Sequence, residues 1–597
     1  MRRPAALAAL LLLPLAAAAA PLPAAAQAAP LQLTCPAPPT GDPLALPASA
    51  VVPPPVPVAP DPVRAVALQH LQRVGDVTDF AGFRAALDCE LSQLVLPHLL
   101  RGHANVVALN EYTGLEVFAT GERGAAARQV AGTPAGRGAL DQGGVPTGAA
   151  LGLAAAASSY SAALAYYHLP PAGSPSFSVH DFFLAATDTF VRGFLLPLRD
   201  AAAKYSALAG APVYLAGSAP MPVQYHAVLR GTTDAATYTS LCLALYADPL
   251  QCATAPPDRL YVADESGVYN VAFVVGPHPA DPDHPWIGLQ RKVNLVTLEG
   301  PSLLDITPGR MQDVQPVAIP GTAARLGIAI SLDAFLRHTP CSDADPSSYV
   351  TCLDARGANV LVQPEANDSL TPDGSWADYI DTSQDTTGGG NPQWQPLTWM
   401  DSAWLATADP AEHFRYAVNS FMVGNLLDLG FDGQSAILDR GGTHCAHYVG
   451  DATFLGPYPS GGPDEAPYAQ YAGDKPQFLA LAPWAVADTD RATLQQRARA
   501  MAPGSGSPLE DMYRQTAVAA DMHLDGAGDG AAGSCASPDL RAASAGAAVP
   551  TAALPLTGAG TAPGWPPVAA VTLLAAAGAL QGRRRAGRLP SRRPRHR

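Results

Sequence analysis

Residues Gly327 to Phe335 read G-I-A-I-S-L-D-A-F. Apolar or small residues from Leu326 to Ile330 lead into Ser331, and Asp333 follows two positions later. The run predicts a short buried strand that ends by presenting a side chain at a turn, although a run this short also fits a piece of helix. Two other stretches share its character. Upstream, A-N-V-V-A-L-N-E, Ala104 to Glu111, reads as an apolar strand ending on a carboxylate. Between them, R-K-V-N-L-V-T-L-E, Arg291 to Glu299, sets Lys292 and Glu299 seven residues apart. The chain thus carries, in order, a carboxylate, an ammonium and a strand-end hydroxyl.

The flanking segments extend the pattern. V-Y-N-V-A-F-V-V-G-P, from Val268, precedes the lysine, and G-A-N-V-L-V-Q-P-E, Gly357 to Glu365, follows the serine. Phe414 to Gly424 and F-D-G-Q-S-A-I-L-D, Phe431 to Asp439, read as two further strands, and Trp484 to Asp490 as a closing one. In this order the motifs resemble the nitrilase or carbon–nitrogen hydrolase superfamily over roughly residues 63–490. The resemblance implies an α/β fold, the α-β-β-α sandwich of that superfamily, and carries a homodimer as an open expectation. It implies Glu111 as general base and acid, and Lys292 as the charge that neutralises a tetrahedral intermediate with help from the Leu332 backbone N–H. Glu299 would orient Lys292. Ser331 stands where the family has its nucleophilic cysteine.

That departure leaves two functions open. A thiol is partly ionised near neutral pH and a hydroxyl is not, so a serine nucleophile needs a stronger base. One reading is a hydrolase of a small amide or nitrile with an atypical nucleophile. The other is a pseudoenzyme that keeps the pocket and binds a ligand or partner. Each residue also has an ordinary alternative: Glu111 as a solvated edge carboxylate, Lys292 and Glu299 as a surface ion pair worth about 0–1 kcal/mol, Ser331 as a turn. No G-x-S-x-G elbow occurs, so an α/β-hydrolase reading has no support.

Working outward, Phe80, Phe83, Leu87, Leu91 and Leu94 recur at helical spacing behind Asp79, a candidate N-cap. Val63 opens a strand, so ordered structure is expected from residue 63 to about 524. Gly148 to Leu169 is charge-free and of membrane-spanning length, but its serines favour a helix buried in protein. Phe182 to Leu208 reads as one helix kinked at Pro197. Pro212 to Gly217 reads as a strand, and Leu260 to Val262 with Val268 to Gly276 as a hairpin.

The ends differ in composition. Residues 1–26 carry Arg2 and Arg3, an Ala/Leu run and Ala24 to Ala26, the layout of a secretory signal peptide. Residues 27–62 are rich in Pro and Ala and predict an extended, disordered spacer, and residues 525–553, rich in Gly, Ala and Ser, a flexible linker. L-P-L-T-G, Leu554, Pro555, Leu556, Thr557 and Gly558, precedes an apolar stretch and an arginine-rich end within residues 554–597. This resembles a Gram-positive sorting signal, which implies sortase and the cell wall as partners; a plain membrane anchor is the alternative. Either places the chain outside the cell.

Eight cysteines in an exported chain predict disulfides, with Cys242/Cys252 and Cys341/Cys352 as the natural local pairs. Net charge is −15, and without the two ends the formal balance is about −25, which disfavours nucleic acid. No cofactor is expected and no metal site stands out. His444, Cys445 and His447 lack further ligands, Asp343 and Asp345 lack the rest of a calcium loop, and His278 and His284 are expected to face solvent.

Overall fold

The computed structural model describes residues 41–46, 49–57, 59–133, 147–301, 303–367, 402–440, 478–482 and 491–524, together with Leu33, Cys35, 380–381 and 393–394. Two six-stranded sheets dominate it. The first runs, edge to edge, β18 (Thr516–Met522), β1 (Ala59–Gln69), β2 (His103–Ala108), β3 (Val213–Met221), β6 (Tyr269–Val275) and β7 (Trp286–Arg291). The second runs β17 (Phe478–Leu481), β16 (Ala436–Asp439), β13 (Tyr416–Phe421), β10 (Val360–Glu365), β9 (Arg325–Ile328) and β8 (Val317–Ala318). The inner strands β1, β2 and β3 are parallel, as are β9, β10 and β13. Three two-stranded pairs accompany them: β4 (Tyr225–Leu229) with β5 (Arg259–Ala263), β11 (Ile380–Asp381) with β12 (Gln393–Trp394), and β14 (Gly424–Leu426) with β15 (Leu429–Phe431).

Side chains alternate across a strand, and here both faces are apolar. One set meets between the sheets: Ala65, Ala67, Val106, Ala108, Ala216 and Ala272 from the first, Leu326, Ile328, Val360, Val362 and Val418 from the second. The alternate set of the first sheet, Val66, Leu68, Val107 and Leu215 among them, packs under helices including Phe80–Glu90 and Leu196–Ala209. In the second sheet Leu361, Ala417 and Leu438 do the same beneath Tyr349–Ala355 and Ala403–Ala408. The result is a four-layer α-β-β-α arrangement. Alanine on the first sheet against branched side chains on the second brings the sheets together. Leu71 bridges Val423, and the Ser420 hydroxyl donates to the Leu68 carbonyl at 2.6 Å, joining the sheets at one end.

Local expectations fare unevenly. Asp79 caps its helix, its carboxylate accepting from the Gly82 N–H at 2.7 Å. The 148–169 stretch folds as two helices, Thr147–Ser159 and Ser161–Tyr166, and among the described residues no helix is long and apolar enough to cross a membrane. Phe182 to Leu208 is not one kinked helix. It breaks at Ala186, and from Thr187 a continuous helix widens over Val191–Leu195 immediately before Pro197 and runs on to Ala209. The expected hairpin is absent: β5 pairs with β4, whereas β6 pairs with β3 and β7. A competing partner from upstream outweighs the local turn. Phe431 to Asp439 is split, its first residue ending β15 and its last four forming β16.

The spacer reading needs the largest correction. Part of 27–62 packs on the domain: Tyr214 donates to the Pro55 carbonyl at 2.8 Å, Arg84 pairs with Asp42 at 2.6 Å, and β1 begins at Ala59. Cys35 is bonded to Cys89, a bridge that proximity in sequence does not reveal. Cys242–Cys252 and Cys341–Cys352 form as expected, whereas Cys445 and Cys535 lie outside the described residues. Asp343 pairs with Arg356, and Asp345 is hydrogen-bonded to the His338 ring. His278 is exposed, but His284 is half-buried and stacks on Tyr225. The signal peptide, the 525–553 linker, the Trp484 to Asp490 strand, the His444 cluster and the sorting motif all lie outside the described residues.

Candidate active site

Strand ends build the site. Glu111 follows β2, Lys292 is the residue after β7, Ser331 comes three residues after β9, and Glu365 ends β10. β2 and β3 are parallel, and β7, antiparallel to β6 as β6 is to β3, runs the same way, while β9 and β10 are parallel, so these chain ends lie at strand C-termini, where ligand sites of open α/β sheets characteristically lie.

The Lys292 Nζ stands 2.9 Å from Glu111 Oε1 and 2.7 Å from Glu299 Oε2. All three residues are about 1% exposed, which excludes the surface ion pair. Buried charges of this kind persist only when every lone pair is satisfied, and here the partners are present. Asn270 Nδ2 donates to Glu111 Oε1 at 2.7 Å and to Glu299 Oε1 at 2.8 Å. The Tyr112 hydroxyl donates to Glu299 Oε1 at 2.6 Å, and the Val296 N–H to Glu299 Oε2 at 3.0 Å. The Ala366 N–H donates to Glu111 Oε2 at 3.1 Å.

Electrostatics follow from that packing. Burial works against the Lys292 ammonium, but Glu111 and Glu299 outweigh it and hold its pKa above the ordinary lysine value. Burial pushes the Glu111 carboxyl up to about 8, with Glu299 and Glu365 adding to the rise and Lys292 opposing it. A carboxyl so placed exchanges its proton near neutral pH, as a general acid or base requires.

Ser331 sits at φ +47°, in the left-handed region that a non-glycine residue enters at a cost of about 1–3 kcal/mol. It opens a short 3-10 helix, Ser331–Phe335, whose first turn holds the half-buried Leu332. Asp333 pins this turn to the lysine loop: its carboxylate accepts from the Val293 N–H at 3.0 Å and from the backbone and side chain of Asn294, each at 2.8 Å. Burial nonetheless lifts the Asp333 carboxyl to about 7.

The structure therefore brings Glu111, Lys292 and Glu299 into direct contact and places Ser331 after β9, the strand next to the one that Glu365 ends. Asn270, Tyr112 and Glu365 escaped the reading of the sequence. Asn270 and Tyr112 carry no local signal, being one polar residue in an apolar strand and one tyrosine in a loop. Glu365 did carry one, since G-A-N-V-L-V-Q-P-E ends an apolar strand on a carboxylate just as the Glu111 stretch does.

A two-sheet α/β sandwich with a buried carboxylate–ammonium–carboxylate cluster beside a strained serine is the class that fold and site define. No family model matches the chain, and no curated protein does. Among solved structures it is similar to a cysteine-to-serine mutant of the Nesterenkonia AN1 amidase from the nitrilase superfamily, at 14% identity over 63% of this chain and 84% of that one, TM-score 0.29. It is also similar to a carbon–nitrogen hydrolase from Helicobacter pylori G27, at 13% identity over 64% and 83%, TM-score 0.28. Likeness of this degree assigns neither activity nor substrate to this chain.

Proposed function

We propose that residues 63–524 form a carbon–nitrogen hydrolase-like domain of the nitrilase superfamily that cleaves a small amide, or a nitrile, through Ser331. The observation that carries this reading is Lys292 held between Glu111 and Glu299, beside a serine on a strained strand-end turn. Ser331 Oγ attacks the carbonyl carbon. Lys292 and the Leu332 N–H neutralise the oxyanion, Glu111 moves protons to and from the reacting groups, and Glu299 holds Lys292 in place. The strain at Ser331 supports it too, since such conformations collect where a side chain must be aimed. A pseudoenzyme that binds a small ligand at the same place is the second reading, favoured by the hydroxyl in place of a thiol.

The ends of the sequence support export and anchoring at the outer surface, by sortase transfer of Thr557 to the cell wall. Changing Thr557 or deleting Leu554 to Gly558 is then expected to release the protein from the wall fraction, and unchanged linkage would refute the anchor. For the site, incubation with p-nitrophenyl acetate and peptide mass spectrometry is expected to find an acetyl group on Ser331. Turnover without modification there, or no modification in folded protein, removes the serine enzyme.

A further inference from the structure

A serine nucleophile needs a proton acceptor, and Glu111 is badly placed to be the first one. Its Oε1 already accepts from Lys292 and Asn270, and its Oε2 from the Ala366 N–H. A second carboxylate ends the strand next to the one that leads into the serine. Strands β9 and β10 are parallel neighbours in which Ile328 faces Val362, and the Ala329 N–H donates to the Val362 carbonyl at 2.9 Å. Carried three residues on, the same offset sets Ser331 opposite Glu365. Both side chains are buried, and each lies at the end of one of these two neighbouring strands. Gln363 Nε2 fixes that carboxylate from its other side, donating to Oε2 at 2.8 Å.

We propose that Glu365 is a catalytic residue, the base that takes the proton of Ser331, leaving Glu111 to act as the acid for the leaving amine. The inference rests on the hydrolase reading above and adds a Ser–Glu pair to it. Burial raises the Glu365 carboxyl, with Gln363, Lys292 and Ser331 easing the rise and Glu299 adding to it, so its ionised form is a stronger base than a solvated glutamate. The steps balance. The Oγ–C bond forms as the carbonyl pair moves to oxygen and the Oγ proton passes to Glu365. The pair returns, the C–N bond breaks, and protonated Glu111 gives its proton to the departing nitrogen. Water then attacks the acyl carbon and yields a proton to Glu111. Ser331 leaves with the proton held on Glu365, so both carboxyls return to their first states.

The test uses the full chain and an ethoxyfluorophosphonate probe, which forms an Oγ–P bond and expels fluoride without needing a protonated amine leaving group. Labelling of Ser331 is followed by peptide mass spectrometry from pH 5 to 9. Glu365→Gln is expected to slow labelling about a hundredfold or more and to remove the acid-side limb of the rate profile, while Glu365→Asp keeps a displaced limb. Glu111→Gln is expected to slow labelling much less, while abolishing amide turnover. In Ser331→Cys, whose thiol needs less help to ionise, adding Glu365→Gln should leave iodoacetamide alkylation within about tenfold, and a cooperative melting transition like that of the natural protein shows that Glu365→Gln is folded. Labelling of Glu365→Gln within a few-fold of the natural protein, or a larger loss in Glu111→Gln, overturns the inference and leaves the serine hydrolase standing. Absence of Ser331 labelling in the natural protein overturns both.

Discussion

Lys292 Nζ lies 2.9 Å from Glu111 Oε1 across 181 residues of chain, with neither group open to water. The ion pair closes the site by joining the ends of β2 and β7, and it sets the charge state of everything around it. Removing the ammonium leaves two buried carboxylates facing each other.

Lys292→Met is therefore expected to destabilise the fold by about 3–5 kcal/mol, the cost of breaking a buried pair on one side, and to abolish turnover. Adding Glu299→Gln should recover part of the stability and none of the activity. Denaturant unfolding of the single and double variants measures both effects, and an additive double variant would show that Lys292 and Glu299 are not coupled.

Ser331→Cys is expected to create or raise amidase activity, because Glu111 and Lys292 are already in place and a thiol needs less help to ionise. Glu111→Gln in that background should remove it. Kinetics on a panel of small amides and nitriles decide between the two readings: activity in the natural protein lost in Ser331→Ala marks a serine enzyme, and activity only in Ser331→Cys marks a pseudoenzyme with a preserved pocket.

Stability should fall as pH rises. Burial pushes Asp333 and Glu412 up to about 7, in Glu412 against the opposing pull of Arg337. A carboxyl raised in the folded state favours folding fully below its unfolded value near ~4, and that contribution is lost as pH climbs through about 7. Burial alone would lower the His70 pKa, but Glu90 and Glu116 raise it to about 10. Its contribution is intact below about 6.5 and lost on the way to about 10. Melting temperatures at pH 5, 7 and 9 should decline in that order. In His70→Gln the decline above pH 7 should shrink while the part below persists.

The inter-sheet seam should tolerate loss better than gain. Ala67→Leu adds methylenes where Ala67 is fully buried between sheets, an overpacking worth about 1–3 kcal/mol or more. Chemical denaturation measures it, and a neutral substitution would mean the sheets part more easily than their contact implies.

Cys89→Ser should cost about 2–4 kcal/mol, since the Cys35–Cys89 bridge closes a loop with a sequence separation of 54. It should also loosen residues 41–46, read as faster backbone amide exchange at Leu44 and Ala45, whose N–H groups Asp42 holds.

Apolar runs ending in a carboxylate or hydroxyl were legible in the chain because both faces of each inner strand are buried, which writes burial into consecutive residues. Glu111 and Ser331 stood out for that reason, Lys292 and Glu299 through the motif order they share with a known family, and the Asp79 cap and the two local disulfides through short-range spacing. Pairing was not legible. Whether β5 joins β4 or β6 depends on free-energy differences between distant partners, and no local spacing encodes them. β18, which completes the first sheet against β1, lies more than 400 residues from it in the chain. Part of the supposed spacer became structure only because Cys89, Arg84 and Tyr214 receive it. Within the site, the sequence determined which chemical groups the chain owns. Tertiary structure decided that Asn270 and Tyr112 hold the carboxylates and that the strand ending on Glu365 lies next to the one leading into Ser331, because those placements arise from strand register and sheet closure.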